Sequence, residues 1–598
     1  MKGFVGAFQL NNNGFSINNL NFSGLLNKGA FFTNDCFALF NVDKQASVYT
    51  SISATIKYAG WVRLDNITEI TTKLALNPET PTDEIVIEAY LKWGKNCVTH
   101  FIGDFSFVIF DETAKKLFLA KDQIGIRPLF YIEYKGILIF STHIPLIKDI
   151  LPEQPVISEL YVSYELRNLI PPIESTFFSD IYRLEPAHYI IVSADGHLEK
   201  ECYWTLAPIE LPEFTDDEDY YELIRQTLKE AISCRAKHKQ QIGCQLSGGL
   251  DSSAITVLLS RLLPKQQLHT YSFILDDETR PYSNNGLDER RTQEEIIRYA
   301  GLIPENHHFI TKFHYKDAFE ELDTRNAVMG GVASNDSYWQ DTLFKQAGES
   351  EKVEVMFSGF PGDEGISASA YNYFHEYLYT KDWRGIFTYL SKFRIKGLYR
   401  IFNYLRYSMI GTTSPSFNAI QKERNLLQSG SSFSKVQPYI PFEFYTSFKE
   451  WLKNRMLATH IPLRVESELL YANQYNIEMV YPLADIRLLQ LVYSLPVRLF
   501  APIPLTRALF RNTCRGILPE NVRQQSKRNG AKTLAFIDYI LAIRKKELEN
   551  YQIKNTLNLL VSEKDYLKRK FSNTMVKIKR LNMIKEIDYL IEQNLKHK

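Results

Sequence analysis

The sequence predicts two domains of different class: an amino-terminal α+β domain of layered antiparallel strands, and a carboxyl-terminal α/β domain with a parallel sheet. Up to about residue 204, short β-rich runs follow one another at hairpin spacing. Beyond that point strand patterns alternate with helical patterns, which is typical of a parallel sheet. The length of 598 residues agrees with this division, because a single hydrophobic core rarely grows so large.

The strands of the amino-terminal part show as apolar and aromatic runs between turn residues. Residues 101–110, 117–120 and 129–132 are the clearest of these runs. Turn signals at residues 122–125 and 135–136 separate neighbouring runs by the short distances that hairpins use. We therefore expect an antiparallel arrangement.

A stretch rich in proline and acidic residues, 206–219, follows this part. Its composition predicts a linker that ends in a helix cap. We therefore divide the chain into domains of residues 1–205 and 206–598, with an insertion at about residues 370–441 in the second domain.

The carboxyl-terminal domain begins with apolar residues at helical spacing. They are Tyr221, Ile224, Leu228, Ala231 and Ile232. A strand over residues 241–246 and a helix over 252–263 follow, and further strands are predicted over 270–275 and 353–357. This alternation indicates a parallel sheet with helical crossovers.

The composition excludes several classes of protein. Lys plus Arg number 70 against 69 Asp plus Glu, so there is no overall field to attract nucleic acid. The six cysteines lack the close pairs of zinc sites and disulfide scaffolds. No run approaches the roughly 20 apolar residues of a membrane span, and the amino terminus is too weakly apolar for a signal peptide. A soluble cytoplasmic protein with reduced thiols is expected.

The loop Ser247-Gly248-Gly249-Leu250-Asp251-Ser252-Ser253 stands between a predicted buried strand and a helix. Its two glycines allow the backbone to approach an anion, and exposed amides at a helix start bind phosphate oxygens. Ser247 and Ser252 add hydroxyl donors. Asp251 beside phosphate requires a cation between them, and magnesium fits that role. The loop is not the Walker pattern, because no lysine follows the second glycine. It is similar to the pyrophosphate loop of ATP pyrophosphatases.

A second turn, Ser358-Gly359 with Asp363-Glu364, follows another predicted strand. Loops at the carboxyl ends of parallel strands face one crevice, so Asp251 and Asp363 are candidates to share a magnesium ion held by ATP. A glycine-acid pair alone would be an ordinary turn.

With both segments the chain resembles the asparagine synthetase family. Residues 103–111 and 119–131 are similar to its glutaminase domain, of the glutamine amidotransferase type 2 class with an Ntn-hydrolase-like fold. Residues 246–253, 358–364 and 481–488 match its synthetase domain, an ATP pyrophosphatase of the adenine nucleotide alpha hydrolase-like fold. The resemblance implies an ATP- and Mg²⁺-dependent ligase that forms an acyl adenylate.

The resemblance also implies roles for individual residues. The nucleotide site would be lined by Leu246, Phe273, Ser358 and Gly359. Pyrophosphate would be held by Ser247, Gly248, Gly249, Asp251 and Ser252, and magnesium by Asp251 and Asp363. Lys527 stands where the family has a lysine that stabilises charge during adenylation and amide formation, although an ordinary surface lysine is the alternative.

Two departures from the family concern the glutaminase. Its nucleophile is an amino-terminal cysteine, whereas Lys2 stands here and Cys36 is the first cysteine. Residues 61–66 replace an Asn-Gly-Glu string that grips glutamine, although Asp83 persists where the family contacts the substrate amine. The domain is interpreted as a relic or as a platform for a partner, inactive as a glutaminase.

Three functions stay open. The chain is most similar to lasso peptide cyclases, in which the amine of a precursor peptide attacks its own adenylated carboxylate; a leader peptidase and a leader-binding protein would be partners. Phe360, in place of a tyrosine of β-lactam synthetases, disfavours that branch. The alternatives are an asparagine synthetase that uses aspartate and free ammonia, and a catalytically silent scaffold.

The insertion alternates aromatic with basic residues, so it either covers a peptide or a partner, or packs as core. The Lys-rich region after residue 544 is interpreted as a solvated surface. The sequence does not specify the substrates, the ring size or the oligomeric state.

Overall fold

The computed structural model describes most of the chain. The described residues are 2–10, 14–25, 29–42, 49–50, 55–166, 169–193, 195–237, 239–275, 277, 289–310, 327–331, 338–410, 445–501, 505–526, 587–588 and 591–592. Lys527 and nearly all of the Lys-rich region after residue 544 lie outside them.

Two antiparallel sheets form the amino-terminal domain, as predicted. Their strands are β1 (Phe4–Gln9), β2 (Phe31–Thr33), β3 (Phe37–Asn41), β4 (Tyr49–Thr50), β5 (Ile56–Leu64), β6 (Gly103–Asp111), β7 (Lys116–Lys121), β8 (Phe130–Tyr134), β9 (Ile137–Ser141), β10 (Tyr182–Arg183), β11 (His188–Ser193) and β12 (Leu198–Cys202). One sheet has the order β10-β8-β9-β1-β3-β2, and the other has the order β12-β11-β7-β6-β5-β4.

The two sheets pack face to face, and helices cover their outer faces. Phe8 of β1 and Phe110 of β6 meet in the cluster between the sheets, whereas Ala7 of β1 faces outward, because alternate residues of a strand point to opposite faces. The covering helices are α1 (Ile67–Leu74) and α2 (Thr82–Trp93) on one side, and α3 (Ile144–Ile150) and α4 (Glu159–Leu166) on the other. This four-layer arrangement confirms the Ntn-hydrolase-like class.

A parallel sheet forms the core of the second domain, also as predicted. Its strands are β13 (Ile242–Gln245), β14 (Leu268–Phe273), β15 (His307–Ile310), β16 (Val355–Phe357) and β17 (Glu478–Val480). The order is β15-β14-β13-β16-β17, so the chain starts in the middle, builds outward on one side and then returns to the other. The direction of winding therefore switches between β13 and β16, which is where open α/β sheets bind ligands.

Helices surround this sheet. They are α5 (Asp217–Ala236), α6 (Leu250–Leu262), α7 (Arg290–Ala300), α8 (Tyr338–Lys345), α9 (Phe374–Tyr379), α10 (Trp383–Ile410), α11 (Phe448–Met456), α12 (His460–Gln474), α13 (Ile486–Ser494), α14 (Ala508–Thr513) and α15 (Glu520–Arg523). The linker ends where Asp216 caps α5 by accepting a hydrogen bond from the Glu218 amide. All five apolar residues predicted to face the core from α5 are buried.

The predicted strands and helices of both domains are present, and their ends differ from the predictions by a few residues. The last antiparallel strand ends at Cys202 and α5 begins at Asp217; the domain boundary at 205/206 stays a prediction. All six cysteines are free. Within the described residues, no helix has the length and apolar character required to cross a bilayer.

Candidate active site

The predicted phosphate loop joins β13 to α6 at the switch point of the sheet. Gly248 has a φ of 80°, which favours glycine, and Gly249 is the N-cap of α6. The Ser247 and Ser252 hydroxyls lie 2.9 Å apart, and the Gly249 amide donates to the Ser247 hydroxyl at 3.2 Å. The loop therefore places two hydroxyls beside the first turn of a helix, whose amides have no partner within the helix.

The second predicted loop, after β16, packs directly against the first. A Cβ atom on Gly359 would lie 2.7 Å from the Ser252 nitrogen, and one on Gly362 would lie 2.6 Å from the Asp251 carboxylate. The Ser358 hydroxyl donates to the Gln245 side chain at 3.0 Å. The two segments that the sequence singled out, more than 100 residues apart, thus form one surface.

Replacing Gly359 with alanine is therefore expected to separate the two loops. The added carbon would press on the Ser252 backbone, which cannot rotate away as a side chain would. We expect pyrophosphate release to fall about a hundredfold, the usual effect of displacing reacting groups by about 1 Å. Gly24→Ala, at a position with no heavy atom within 4 Å of the added carbon, is the control and should leave the rate unchanged. An active Gly359→Ala enzyme would contradict this close approach.

Asp251 and Asp363 lie on either side of one arginine. The Arg507 guanidinium pairs with Asp363 and lies 3.6 Å from Asp251. Burial, together with the charge of Asp363, raises the pKa of Asp251 to about 6, although Arg507 opposes this rise. Asp251 Oδ1 is buried and has no hydrogen-bond partner in the described chain. An unpartnered carboxylate oxygen beside a second carboxylate fits a divalent cation.

Leu246 and Phe273 lie at the carboxyl ends of neighbouring strands. The Leu246 carbonyl accepts hydrogen bonds from the Ser272 hydroxyl at 2.6 Å and from the Gln293 amide at 3.3 Å, and Gln293 also lies 3.4 Å from the Phe273 carbonyl. Gln293, on α7, is fully buried. This helix therefore fixes the two strand ends that the resemblance assigns to the nucleotide.

Lys527, the predicted catalytic lysine, lies outside the described residues, but the segment before it is anchored. Arg511 donates to the backbone carbonyls of Arg523 and Gln525. The Gln525 side chain reaches Thr292, the neighbour of Gln293 on α7, at 3.4 Å. The segment is therefore held against α7, next to Gln293, as far as Gln525. Ser526 is its last described residue.

The matching segment 481–488 is structural. The Tyr481 hydroxyl donates to Glu468 at 3.0 Å. Asp485 caps α13 and pairs with Arg235 at 2.7 Å and with Arg487 at 2.7 Å. These arginines outweigh the effect of burial and hold the pKa of Asp485 well below its ordinary value.

Asp485 belongs to a larger group of mostly buried charges between the two domains, which we call the interdomain charge cluster and of which Lys2 is the half-exposed member. Its members are Lys2, Arg63, Asp65, Asp104, Arg127, Arg235, Glu478, Asp485 and Arg487. Arg235 of the second domain pairs with Asp65 of the first at 2.9 Å. Arg127 of the first domain, fully buried, pairs with Glu478 of the second.

The cluster fills the region that the resemblance assigns to glutamine. Trp61, 4% exposed, stacks on His143 with ring centroids 5.9 Å apart, and Arg127 lies 4.9 Å from the centre of the Trp61 ring. Both the amide and the carbonyl of Lys2 are hydrogen-bonded to the Asn473 side chain. Asp83, retained from the family pattern, lies near Tyr58, and burial raises the pKa of Asp83.

Glu478 makes this cluster sensitive to acid. Burial alone would raise the pKa of Glu478, but Arg127, Lys2 and Arg63 lower it to about 2. A carboxylate with a depressed pKa stabilises the folded state above its ordinary pKa of 4.5 and loses that effect as the pH falls toward 2.

We therefore expect Glu478→Gln to be less stable than the wild type at pH 7, and the difference to shrink by about 1 kcal/mol by pH 4. Urea unfolding across this range measures it. Glu213→Gln, at an exposed position of the linker, serves as the control and should follow the wild type at every pH. A difference that stays constant with pH would contradict the assignment.

The described part of the insertion presents an unusual helix. α10 is interrupted at Arg394, where φ is 47°. Tyr389 and Tyr404 pack into the core, as one of the two interpretations expected. On the other side exposed apolar residues recur every three or four positions, namely Ile395, Leu398, Phe402, Leu405 and Met409. Residues 383–410 contain six Arg and Lys and no Asp or Glu. Exposed apolar residues repeated along one helix are typical of an interaction surface.

Two site features were missed by the sequence reasoning. Arg507 lies 144 residues from Asp363, in a segment whose prolines and apolar residues gave no sign of function. Gln293 lies in a strongly amphipathic helix. A polar residue among the positions that face inward was the only sign in the sequence that Gln293 has a role in the site. Phe360, which stands in place of a tyrosine of β-lactam synthetases, packs under Arg464, whose guanidinium lies 4.2 Å from the ring centre.

Comparison with known proteins gives the same picture. Residues 223–538, more than half of the chain, match the family model described as asparagine synthase, and residues 38–204 match the glutamine amidotransferase domain. A putative glutamine-hydrolyzing asparagine synthetase 2 of Methanocaldococcus jannaschii is 27% identical over 69% of this chain and 75% of its own length. The glutamine-hydrolyzing asparagine synthetase 3 of Bacillus subtilis is 24% identical over 82% and 77%, and the amidase chry2 of Gibberella zeae is 32% identical over 37% and 33%.

Proposed function

Because the chain belongs to the asparagine synthase family of ATP-dependent amide ligases, we propose that it adenylates a carboxylate and passes the acyl group to an amine that does not come from glutamine. The two loops at the switch point support the first half of this proposal. The head of β1, where Lys2 replaces a cysteine, supports the second half.

In the proposed mechanism the loop after β13 holds the pyrophosphate part of ATP. The amides of the first turn of α6 and the Ser247 and Ser252 hydroxyls are its donors. Leu246, Phe273, Ser358 and Gly359 would line the nucleotide. Asp251 and Asp363 would hold Mg²⁺, which neutralises phosphate charge, while Arg507 adds a fixed positive charge beside both carboxylates. Lys527 is proposed to stabilise the charge that develops on the reacting acyl group.

The nucleophile is the point at which this chain departs from glutamine-hydrolysing relatives. Glutamine hydrolysis needs a thiol at the head of β1. None of the six cysteines lies there: they are in the turn before β3, after α2, at the end of β12, in α5, in β13 and after α14. Lys2 instead pairs with Glu478, which also pairs with the buried Arg127. The amine must therefore arrive by another route, and this is the observation that carries the proposal.

An amine on the same molecule as the carboxylate meets this requirement. Holding both groups of one peptide in the site would contribute roughly 7–11 kcal/mol to lowering the barrier. We therefore propose a peptide cyclase of the lasso type, with a leader peptidase and a leader-binding protein as partners. The exposed apolar residues of α10, on a helix that has basic but no acidic residues, support a substrate or partner of macromolecular size.

Ammonia-dependent asparagine synthesis is the second candidate. The names of the relatives from M. jannaschii and B. subtilis favour it. A third alternative, a silent scaffold, would have no reason to keep Asp251, Asp363 and the glycines at the contact between the two loops.

Pyrophosphate release with ATP and Mg²⁺ separates these candidates. The protein is offered aspartate with ammonium, aspartate with glutamine, or synthetic peptides that carry a free amino terminus and one internal aspartate or glutamate. We expect turnover with a peptide, whose product has lost one water by mass. Turnover with aspartate and ammonium, but with no peptide, would support the asparagine synthetase instead. If pyrophosphate is released in none of the three mixtures, the catalytically silent scaffold is the remaining candidate.

A further inference from the structure

A compact group of side chains of metal-binding type lies apart from the candidate active site, at the edge of the parallel sheet formed by β15 and its neighbour β14. His269 is on β14 and His308 on β15, and Glu351 follows the π-helical turn Gln346–Ser350 after α8. One ligand atom from each of the three lies within 4.8 Å of the other two. Tyr271, directly opposite His308 in the strand register, shares the face of β14 with His269.

The distances within this group match those of a metal site. His269 Nδ1 and His308 Nε2 are 3.2 Å apart. Two nitrogens bound to one tetrahedral zinc ion at about 2.0–2.1 Å lie about 3.3–3.4 Å from each other. A Glu351 carboxylate oxygen lies 3.9 Å from the same His269 nitrogen. One small movement of the carboxylate would bring all three ligand atoms to a common centre.

The outer nitrogens of both histidines have amide partners. His269 Nε2 lies 3.0 Å from the Gln241 amide oxygen, so the nitrogen donates and His269 Nδ1 is left with its lone pair facing inward. His308 Nδ1 accepts a hydrogen bond from the Gln346 side-chain amide at 3.1 Å, so without a metal ion His308 Nε2 carries the proton and donates it to His269 Nδ1. Zinc binding would move this proton to His308 Nδ1 and turn the Gln346 amide so that its oxygen accepts it. Such outer partners orient the ligands of metal sites.

Tyr271 provides an independent observation. It is 1% exposed, its ring stacks on His308 at 4.8 Å, and its hydroxyl has no hydrogen-bond partner in the described chain. A buried hydroxyl without a partner is costly, and an ion in this group would supply a nearby positive centre for its oxygen.

A second group, Asp65, Cys234 and Asp485, also brings three ligand atoms close together. Its two carboxylates pair with Arg235, at 2.9 and 2.7 Å. That group already has its positive charge. For Glu351, in contrast, the described chain shows only His269 within ion-pair distance.

We propose that His269, His308 and Glu351 bind one zinc ion, with Tyr271 beside the fourth position. The ion connects β14 to β15, the edge strand of the sheet, and to the turn after α8. The other end of β14 holds Phe273 in the candidate nucleotide site. Its role is to fix the edge of the sheet, so it is separate from the magnesium proposed for catalysis. Glu351 is partly exposed and provides the entry path.

The test uses the full-length protein with its purification tag removed. The protein is dialysed against a chelator and then against Zn²⁺, and bound zinc is measured by plasma mass spectrometry. Thermal unfolding is followed in parallel. We expect about one zinc per chain and a higher melting temperature with zinc. Replacing zinc with Co²⁺ should give the visible absorption of four-coordinate cobalt.

The variants decide between a zinc site and two histidines that are merely hydrogen-bonded to each other. His308→Gln and Glu351→Gln should each weaken zinc binding about tenfold or more. His307→Gln is the matched control, because His307 is the adjacent residue of β15 and its side chain pairs with Thr270 instead. Glu351 lies outside the strands, so its variant tests the site even where His308→Gln fails to fold. Wild-type protein that takes up no zinc, or variants that bind it as the wild type does, would overturn the proposal.

Discussion

Replacing Asp251 with asparagine is expected to lower the rate of pyrophosphate release about a thousandfold while the protein stays folded. Asparagine keeps the size of the side chain but removes the charge that is proposed to hold Mg²⁺ beside the phosphates. The raised pKa of Asp251 means that the folded protein disfavours the ionised carboxylate, so asparagine should leave the stability at pH 7 unchanged or raise it. Single-turnover pyrophosphate release at saturating ATP and thermal unfolding measure the two effects.

Asp216→Asn is the matched control for this experiment. Asp216 caps α5 on the surface, and asparagine caps a helix as well as aspartate does. Its rate and stability should equal those of the wild type. An Asp251→Asn enzyme with full activity would remove Asp251 from the proposed metal site. A loss of activity accompanied by unfolding would show that the charge has a structural role instead.

The parts of the site that the sequence predicted are local. The loop from Ser247 to Ser253 can be recognised in the sequence because phosphate binding needs glycines and hydroxyls at fixed positions in one short segment. The strand that precedes it and the helix that follows it are equally local, since both depend on the spacing of neighbouring apolar residues. Asp363 could be placed near Asp251 because loops at the carboxyl ends of parallel strands meet at one edge.

The parts that could not be predicted depend on contacts between distant segments. Arg507 reaches Asp363 across 144 residues, and Arg235 reaches Asp485 across 250. No periodic pattern connects such residues, because each partner alone is an ordinary charged side chain in its own segment. The contact between the domains could not be predicted for the same reason, since Arg127 of the first domain and Glu478 of the second are 351 residues apart.

The interdomain charge cluster gives the amino-terminal domain a physical role that does not depend on glutamine. Glu478 is the first residue of β17, in the sheet that forms the candidate site. Arg127 and Arg63 of the first domain neutralise its charge. Loss of the first domain would leave Glu478 without these partners.

Asp485→Ala is expected to lower the free energy of unfolding by about 3–5 kcal/mol, the usual cost of removing one partner from a buried ion pair. The change leaves Arg235 with Asp65 and Arg487 with Glu230 as carboxylate partners, and it removes the cap of α13. Urea unfolding at pH 7, followed by tryptophan fluorescence and by circular dichroism, measures the loss. We expect the two probes to separate if the domains come apart before either unfolds.

Asp217→Ala provides the contrast, because Asp217 forms a pair of similar length with Arg498 in which both side chains are about half exposed. Solvent screens such a pair, so its loss should change the stability by less than about 1 kcal/mol. Equal losses in the two variants would show that burial between the domains adds nothing to the Asp485 pair. A large loss for Asp485→Ala alone would mean that burial strengthens the pairs of Asp485 with Arg235 and Arg487, and Arg235 connects these pairs to Asp65 of the amino-terminal domain.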